Sequence, residues 1–453
     1  MTTTPEPGAA TDAIERGGPA TAPAVADSLD VPWTGETAAA QRRVMGSLVV
    51  SQVLGGVGVS SGVAVGTLLA ARSSGSTELA GLAGTASVLG SALVLIPMVR
   101  VVAARGRRPA LAMGYGIAAV GALIVLGSAV LASFPLQLLG MLLFGSGTAV
   151  NLQSRYAATD LAPSSRRARA LSFVVWATTI GAVLGPNLTK PGAALGRSLG
   201  LPELAGPYVF SLVFFALAAV AMTIGLRPDP LLLARRLSPL PLDATGAVRR
   251  SGVLHSLGVC LARPQALLGL GAVAVAQTVM TSVMVMTPVE MNTHGAGLGA
   301  IGLVISVHIL GMYALSPLSG LLADRAGRVR TILLGQGVFA VALVLAGTGN
   351  AAGGLSSVGL GLGLFGLGFG WSLSLVAGST LLTESVPEAD RPGVQAAADL
   401  VTGLSAAAGG ALSGVILGTF GYPPLTALAG ALIVPVLILL FRAQTRPGVG
   451  AAA

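Results

Sequence analysis

The sequence predicts an all-α membrane protein with twelve transmembrane helices in two pseudo-symmetric six-helix bundles. Three observations carry this. The 453-residue chain is 53% hydrophobic and only 9% charged, with a mean hydropathy of +0.83, whereas a soluble domain carries about 25% charged residues. Apolar runs of about 20 residues, the length that crosses a bilayer, recur along it. Landmarks of the first half return in the second at a fixed spacing.

Residues 1–41 are rich in Ala, Thr, Pro and acidic residues, contain no apolar run, and read as a disordered tail without a cleavable signal peptide. Six apolar segments bounded by charges or turn residues follow at 46–71, 79–99, 109–132, 136–157, 170–189 and 208–226. They predict an N-terminal bundle over 42–226. The stretch 227–263, polar and containing Pro and Arg, is the longest interior linker and divides the halves. The second set falls at 265–288, 299–319, 331–348, 356–382, 394–417 and 424–441, predicting a C-terminal bundle over 264–442 with a short tail at 443–453.

Arginine distribution orients the chain. With the N-terminus inside, 23 of the 26 Lys and Arg residues fall on the inner side, leaving Arg72, Lys190 and Arg197 outside. That bias predicts a multi-pass plasma-membrane protein with both termini cytoplasmic. It also accounts for the net charge of +9 without invoking nucleic acid. The lipid bilayer is the expected partner, and the chain is expected to be monomeric. No phosphate-binding Gly-x4-Gly-Lys-Ser/Thr loop and no nucleophile–base constellation occurs, so transport driven by a solute or ion gradient is expected rather than an enzyme, with no cofactor.

The halves align at an offset of 221 residues. Gly106-Arg107 matches Gly327-Arg328, and Phe144-Gly145 with Gly147 matches Phe365-Gly366 with Gly368. Such internal symmetry is the mark of a transporter whose halves rock about a central site.

The run Gly320-Leu-Leu-Ala-Asp324-Arg325-Ala-Gly327-Arg328 resembles the cytoplasmic loop motif of the major facilitator superfamily. The resemblance implies that fold over about 42–442, alternating access, and a charged gate on the inner face. The first-half copy keeps Arg105-Gly106-Arg107-Arg108 but has Ala103 where Asp324 stands. Asp399, the only acid well inside a span, is read as a proton-coupling group or as the stand-in for that missing acid, paired with Arg105 or Arg107. Asp160 and Glu384, at matching ends of the fourth and tenth spans, read as gate charges.

Met280 with Met284, and His308 with Met312, are i,i+4 pairs in successive spans, so each pair shares a helix face. Imidazole and thioether suit a soft cation such as Cu(I), and an ionisable group in mid-span is costly and a functional hypothesis by default. The alignment supplies Val59, Val63, Ser87 and Ser91 at the matching positions, so the fold alone does not require Met or His there. This arrangement resembles the copper-importing branch of the superfamily (CcoA-like transporters). The resemblance implies Met280, Met284, His308 and Met312 as ligands of a transported copper ion. Met286, Met291 and His294 are read as an outer entrance.

A competing signal lies in the fifth span. Gly181-Ala-Val-Leu-Gly185-Pro186 resembles the Gly-x3-Gly-Pro motif of drug/proton antiporters, with Thr189 and Lys190 where that pattern has a glycine pair. It predicts a helix kink and, as the alternative function, a proton-coupled exporter of hydrophobic small molecules. Gln52, Asn151, Gln153 and Gln277 are uncharged polar groups that line the cavity or bond between helices.

Overall fold

A computed structural model describes residues 34–237, 253–351, 357–387 and 390–445. The expected N-terminal tail therefore lies mostly outside the described residues, as do the middle of the linker and the last eight residues. The first half contains α1 (Gly35–Ser74), α2 (Gly81–Arg105), α3 (Arg107–Val130), α4 (Phe134–Phe144), α5 (Ser146–Thr159), α6 (Ser164–Asn187), α7 (Thr189–Ser198) and α8 (Gly206–Gly225). Linker helices α9 (Pro230–Leu237) and α10 (Val253–Leu261) follow. The second half contains α11 (Pro264–Thr293), α12 (Leu298–Tyr313), α13 (Ser316–Ala326), α14 (Arg328–Ala351), α15 (Ser357–Glu384), α16 (Arg391–Phe420), α17 (Tyr422–Ala431) and α18 (Ile433–Thr445).

Among the described residues, eleven spans are long and apolar enough to cross a bilayer. The 24-residue α6 occupies the remaining expected position, and its Ser-Ser-Arg-Arg-Ala-Arg start makes it more polar than the others. Three spans are built from two stacked helices each: α4 with α5, α12 with α13, and α17 with α18. The break between α4 and α5 falls at Gly145, where a Cβ would overlap the Ser87 carbonyl oxygen of α2. The first helix begins at Gly35, inside the stretch read as tail, because Thr34 caps it through a reciprocal hydrogen-bond pair with Thr37.

The repeat is visible in the packing. Ser87, the sequence match of His308, offers its carbonyl to Gly145; the His308 carbonyl is met by Gly368, two residues beyond the match of Gly145. Both contacts require glycine because helix backbones meet where a side chain would stand.

The halves meet at one end. One apolar cluster bridges them, joining Ala64, Leu68 and Ala80 to Ile301, Ile305, Val283 and Leu417. The helix pairs are α1 with α11, α2 with α16, and α6 with α12. On α2 and α16, a Cβ at Gly81 would overlap the Gly410 carbonyl oxygen, and Thr85 Oγ1 donates to the Ala407 carbonyl at 2.8 Å. On α6 and α12, Asn187 Nδ2 donates to Ser306 Oγ at 2.8 Å and Ser306 Oγ donates to the Val183 carbonyl at 3.1 Å. These contacts all lie toward the arginine-poor face. Toward the arginine-rich face, among the described residues, α5 does not pack on the second half and α13 does not pack on the first. The molecule is thus closed at the arginine-poor face and open at the other.

Candidate functional site

The second half supplies two tiers of side chains. In the lower tier, Trp371 Nε1 of α15 donates to Gln277 Oε1 of α11 at 2.8 Å. The Tyr313 ring of α12 stands edge-on to Trp371 at 5.9 Å between centroids. The Trp371–Gln277 bond also sets a register. The two helices run antiparallel, so the turns carrying Met280 and Met284 lie level with Gly368 and Leu364. His308 Nδ1 of α12 donates to the Leu364 carbonyl at 2.7 Å. Met280, Met284 and His308 therefore occupy one level, a turn or two toward the arginine-poor face from Trp371.

His308 is fully buried and its tautomer is set by its partner. A carbonyl only accepts, so Nδ1 carries the hydrogen and Nε2 keeps a lone pair. Nε2 has no hydrogen-bond partner among the described residues. Met280 and Met284 are half-buried beside the same apolar cluster, and Met312 is buried within it. Met284 additionally lines a cavity of about 170 Å³ with Thr67, Met141, Thr148 and Thr281, beneath the closed arginine-poor end.

With the arginine-poor end closed, two of the residues read as an outer entrance are covered. Met286 is fully buried and Met291 nearly so. Met286 is two residues beyond Met284, which turns it to the opposite side of α11 and into the core. His294 caps α11 and is exposed, 3.5 Å from the Glu290 carboxylate.

In the first half, amides and a phenol bond to one another in the interior, with Gln52 and Tyr115 fully buried. Gln52 Nε2 donates to Thr178 Oγ1 at 2.9 Å. The Tyr115 hydroxyl lies 3.1 Å from the Ser51 carbonyl and 3.2 Å from Asn151 Oδ1. Arg155 follows one turn along α5 on the Asn151 face. Its charge acts on Tyr313 and Asp399 of the opposite half. By sequence Arg155 groups with the loop arginines; the structure places it inside α5, four residues before its end.

The arginine-rich face carries two matching ion pairs. Arg107 clamps Asp160 with two bonds, at 2.9 and 3.1 Å. Its repeat partner Arg328 reaches Glu384 at 2.9 Å and Asp324 at 3.5 Å. Gly106 and Gly327 turn the chain before these arginines with φ of +89° and +90°, a region that favours glycine. Arg105 and Arg325 are exposed, without an ion pair among the described residues. The acid missing from the first-half motif is replaced by the linker. Asp229 Oδ2 accepts the Arg108 backbone N–H at 2.7 Å, capping α3, while Oδ1 accepts from Leu231 and Leu232, capping α9. Asp399 does not fill that role: Arg107 is already held by Asp160, and Asp399 is exposed on α16 toward the open side.

The fifth-span glycines seat α6 against α1. A Cβ at Gly181 would overlap the Val53 carbonyl oxygen, and one at Gly185 would overlap Ser60 Oγ. Pro186 occupies the last turn of α6, so it ends the helix rather than bending its middle. Its own carbonyl is the surface on which Gly302 of α12 packs.

Trp371, Tyr313, Tyr115, Arg155 and Asp229 do not stand out in the sequence. A mid-span Trp beside a mid-span Gln, and an Arg four residues after Asn151 within one apolar run, were the available signals.

Comparison with known proteins agrees with this architecture. The family model for the Major Facilitator Superfamily matches residues 48–289 and 267–452. An uncharacterized MFS-type transporter of Bacillus subtilis, YdeG, is 37% identical over 400 residues, 88% of this chain and 91% of its own. The riboflavin transporter RfnT of Brucella anthropi is 27% identical over 417 residues, 92% of this chain and 99% of its own. A crystal structure of a D-xylose–proton symporter superposes with a TM-score of 0.71 at 16% identity, covering 91% of this chain and 99% of that one, which speaks to fold alone. The chain belongs to the Major Facilitator Superfamily: it is a multi-pass membrane transporter and not an enzyme.

Proposed function

We propose that the protein moves an organic solute with a planar, hydrogen-bonding ring across the plasma membrane by alternating access. The observation that carries this reading is the Trp371–Gln277–Tyr313 wall. It pairs aromatic surface with an amide, and the first half brings the charge of Arg155 to bear on its Tyr313. A ring of this kind is what such a wall binds by stacking and edge hydrogen bonds. The relationship to a riboflavin transporter supports the same class. With the arginine-rich face cytoplasmic, this is the inward-open state, and Asp399 is the carboxylate placed to carry a coupling proton. The test is quenching of tryptophan fluorescence by riboflavin in purified protein, with uptake into proteoliposomes. Aromatic stacking is worth about 1–3 kcal/mol, so Trp371→Ala weakens binding roughly 5- to 150-fold; the reading fails if riboflavin does not bind saturably or binds the variant equally well.

A second reading, copper uptake, is favoured by one specific observation. His308 holds Nε2 free while a carbonyl fixes Nδ1, which is how a metal-ligating imidazole is oriented. Met280 and Met284 stand at the same level, and Met312 one turn below. Cu(I) titration under reducing conditions, with metal analysis of wild type and His308→Ala, tests it. Copper bound at one equivalent and lost in the variant supports copper as substrate; no bound copper removes this reading.

A further inference from the structure

Arg155 lies inside a membrane-spanning helix, yet its guanidinium has no hydrogen bond or ion pair among the described residues, and its Nε is shielded from solvent. An unpaired charge in a low-dielectric setting is costly unless a partner arrives. Arg107 of α3, at the arginine-rich end of the same half, is by contrast engaged by Asp160. The groups around it are Asn151 one turn back on α5, which is neutral, Tyr313 on α12, and Asp399 on α16. Asp399 belongs to the opposite half and is not within ion-pair distance while the arginine-rich face is open. In the state in which solute is exchanged on that side, the guanidinium is therefore vacant.

We infer that Arg155 binds an anionic group of the transported solute, a carboxylate or a phosphate ester, and that Asp399 competes for the same guanidinium. Arg presents a planar fork of donors that matches such oxyanions. Closing the arginine-rich face carries Asp399 toward Arg155, so the internal carboxylate displaces the solute's anion as the site turns to the other side. A neutral ring would satisfy the Trp371 wall and leave Arg155 unpaired; an anionic one satisfies both. The inference rests on the planar-solute reading for the remainder of the ligand, and the experiment separates the two.

The probes are riboflavin and its 5′-phosphate, a neutral and an anionic form of one ring, titrated against full-length protein in detergent. Wild type should bind the phosphate about tenfold more tightly at low salt, the worth of one charge-assisted contact, with the gap narrowing as salt is raised. Arg155→Gln should bind both equally, Arg155→Lys should keep part of the preference, and Asp399→Asn should widen it. Equal binding of the two flavins by wild type, or a preference that survives in Arg155→Gln, overturns the inference. If neither flavin binds, the planar reading falls, and the anion site is decided in wild type by a second measurement. Labelling of Arg155 with phenylglyoxal, read by peptide mass, should be blocked by phosphate or benzoate and not by benzamide. Labelling that no anion blocks overturns the inference whatever the flavins do.

Discussion

Gly302→Ala is the sharpest test of the closed arginine-poor end. A Cβ at Gly302 overlaps the Pro186 carbonyl oxygen and lies 3.0 Å from its carbon. Both atoms are helix backbone, so the overlap is relieved only by moving α12 away from α6. Overpacking of this kind costs about 1–3 kcal/mol. The same displacement stretches the Asn187–Ser306 and Ser306–Val183 bonds, each worth about 1 kcal/mol when intact. The contact exists only while this end is closed, so the penalty falls on one state. A differential of about 2 kcal/mol shifts the balance roughly 30-fold toward opening at the arginine-poor face. The measurement is a spin-label distance distribution between Leu199→Cys and Thr293→Cys, both exposed near that face, in a Cys260→Ser background. Gly337→Ala, where nothing lies within 4 Å of the Cβ position, is the control. A distribution in Gly302→Ala identical to the control, in protein that still folds, refutes the reasoning.

Other outcomes follow from the same structure. Asp229→Ala uncaps α3 and α9 together and should lower stability by about 1–2 kcal/mol, read as a lower thermal midpoint, with Asp229→Asn milder because an amide oxygen still accepts. Arg107→Gln strands Asp160 in a mostly buried site and should destabilise more than Arg328→Gln, whose partners Asp324 and Glu384 are exposed; equal losses would contradict the burial argument. The Cys260 thiol is buried against Leu382 and Val394, and burial pushes its pKa above the ordinary thiol range, with Arg263 pulling weakly the other way. Less thiolate is present near neutral pH, so maleimide should label Cys260 slowly in native protein and fully in detergent-denatured protein, a gap that narrows as pH rises.

Much of the architecture is legible in the sequence because lipid leaves few options. A backbone without water must satisfy itself, so every apolar run of adequate length becomes a helix, and the Gly-Arg landmarks expose the repeat. The site is legible in part. His308 and the methionines stand out as unusual chemistry in apolar runs, and their shared level follows from helix rise alone. Arg155 is hidden because its distance from the loop is a matter of where α5 ends, which sequence periodicity does not set. Which side of α11 carries Met286 and Met291 is not legible because membrane helices are apolar on all sides, so hydrophobic periodicity does not tell the core face from the cavity face. Asp229 is inconspicuous because its partner lies 121 residues away along the chain.

Composition and span length by themselves marked a many-helix membrane protein, since both reflect the local cost of polar groups in lipid, and the repeat with its Gly-Arg loop marked a transporter of two related halves. Which residues meet between the halves, that the halves close at the arginine-poor end, and that Arg155 has no hydrogen-bond or ion-pair partner among the described residues while Arg107 has one were decided only by tertiary structure. Those facts depend on crossing points between helices far apart in the chain, and such crossings are set by glycine-to-carbonyl packing that no local pattern records.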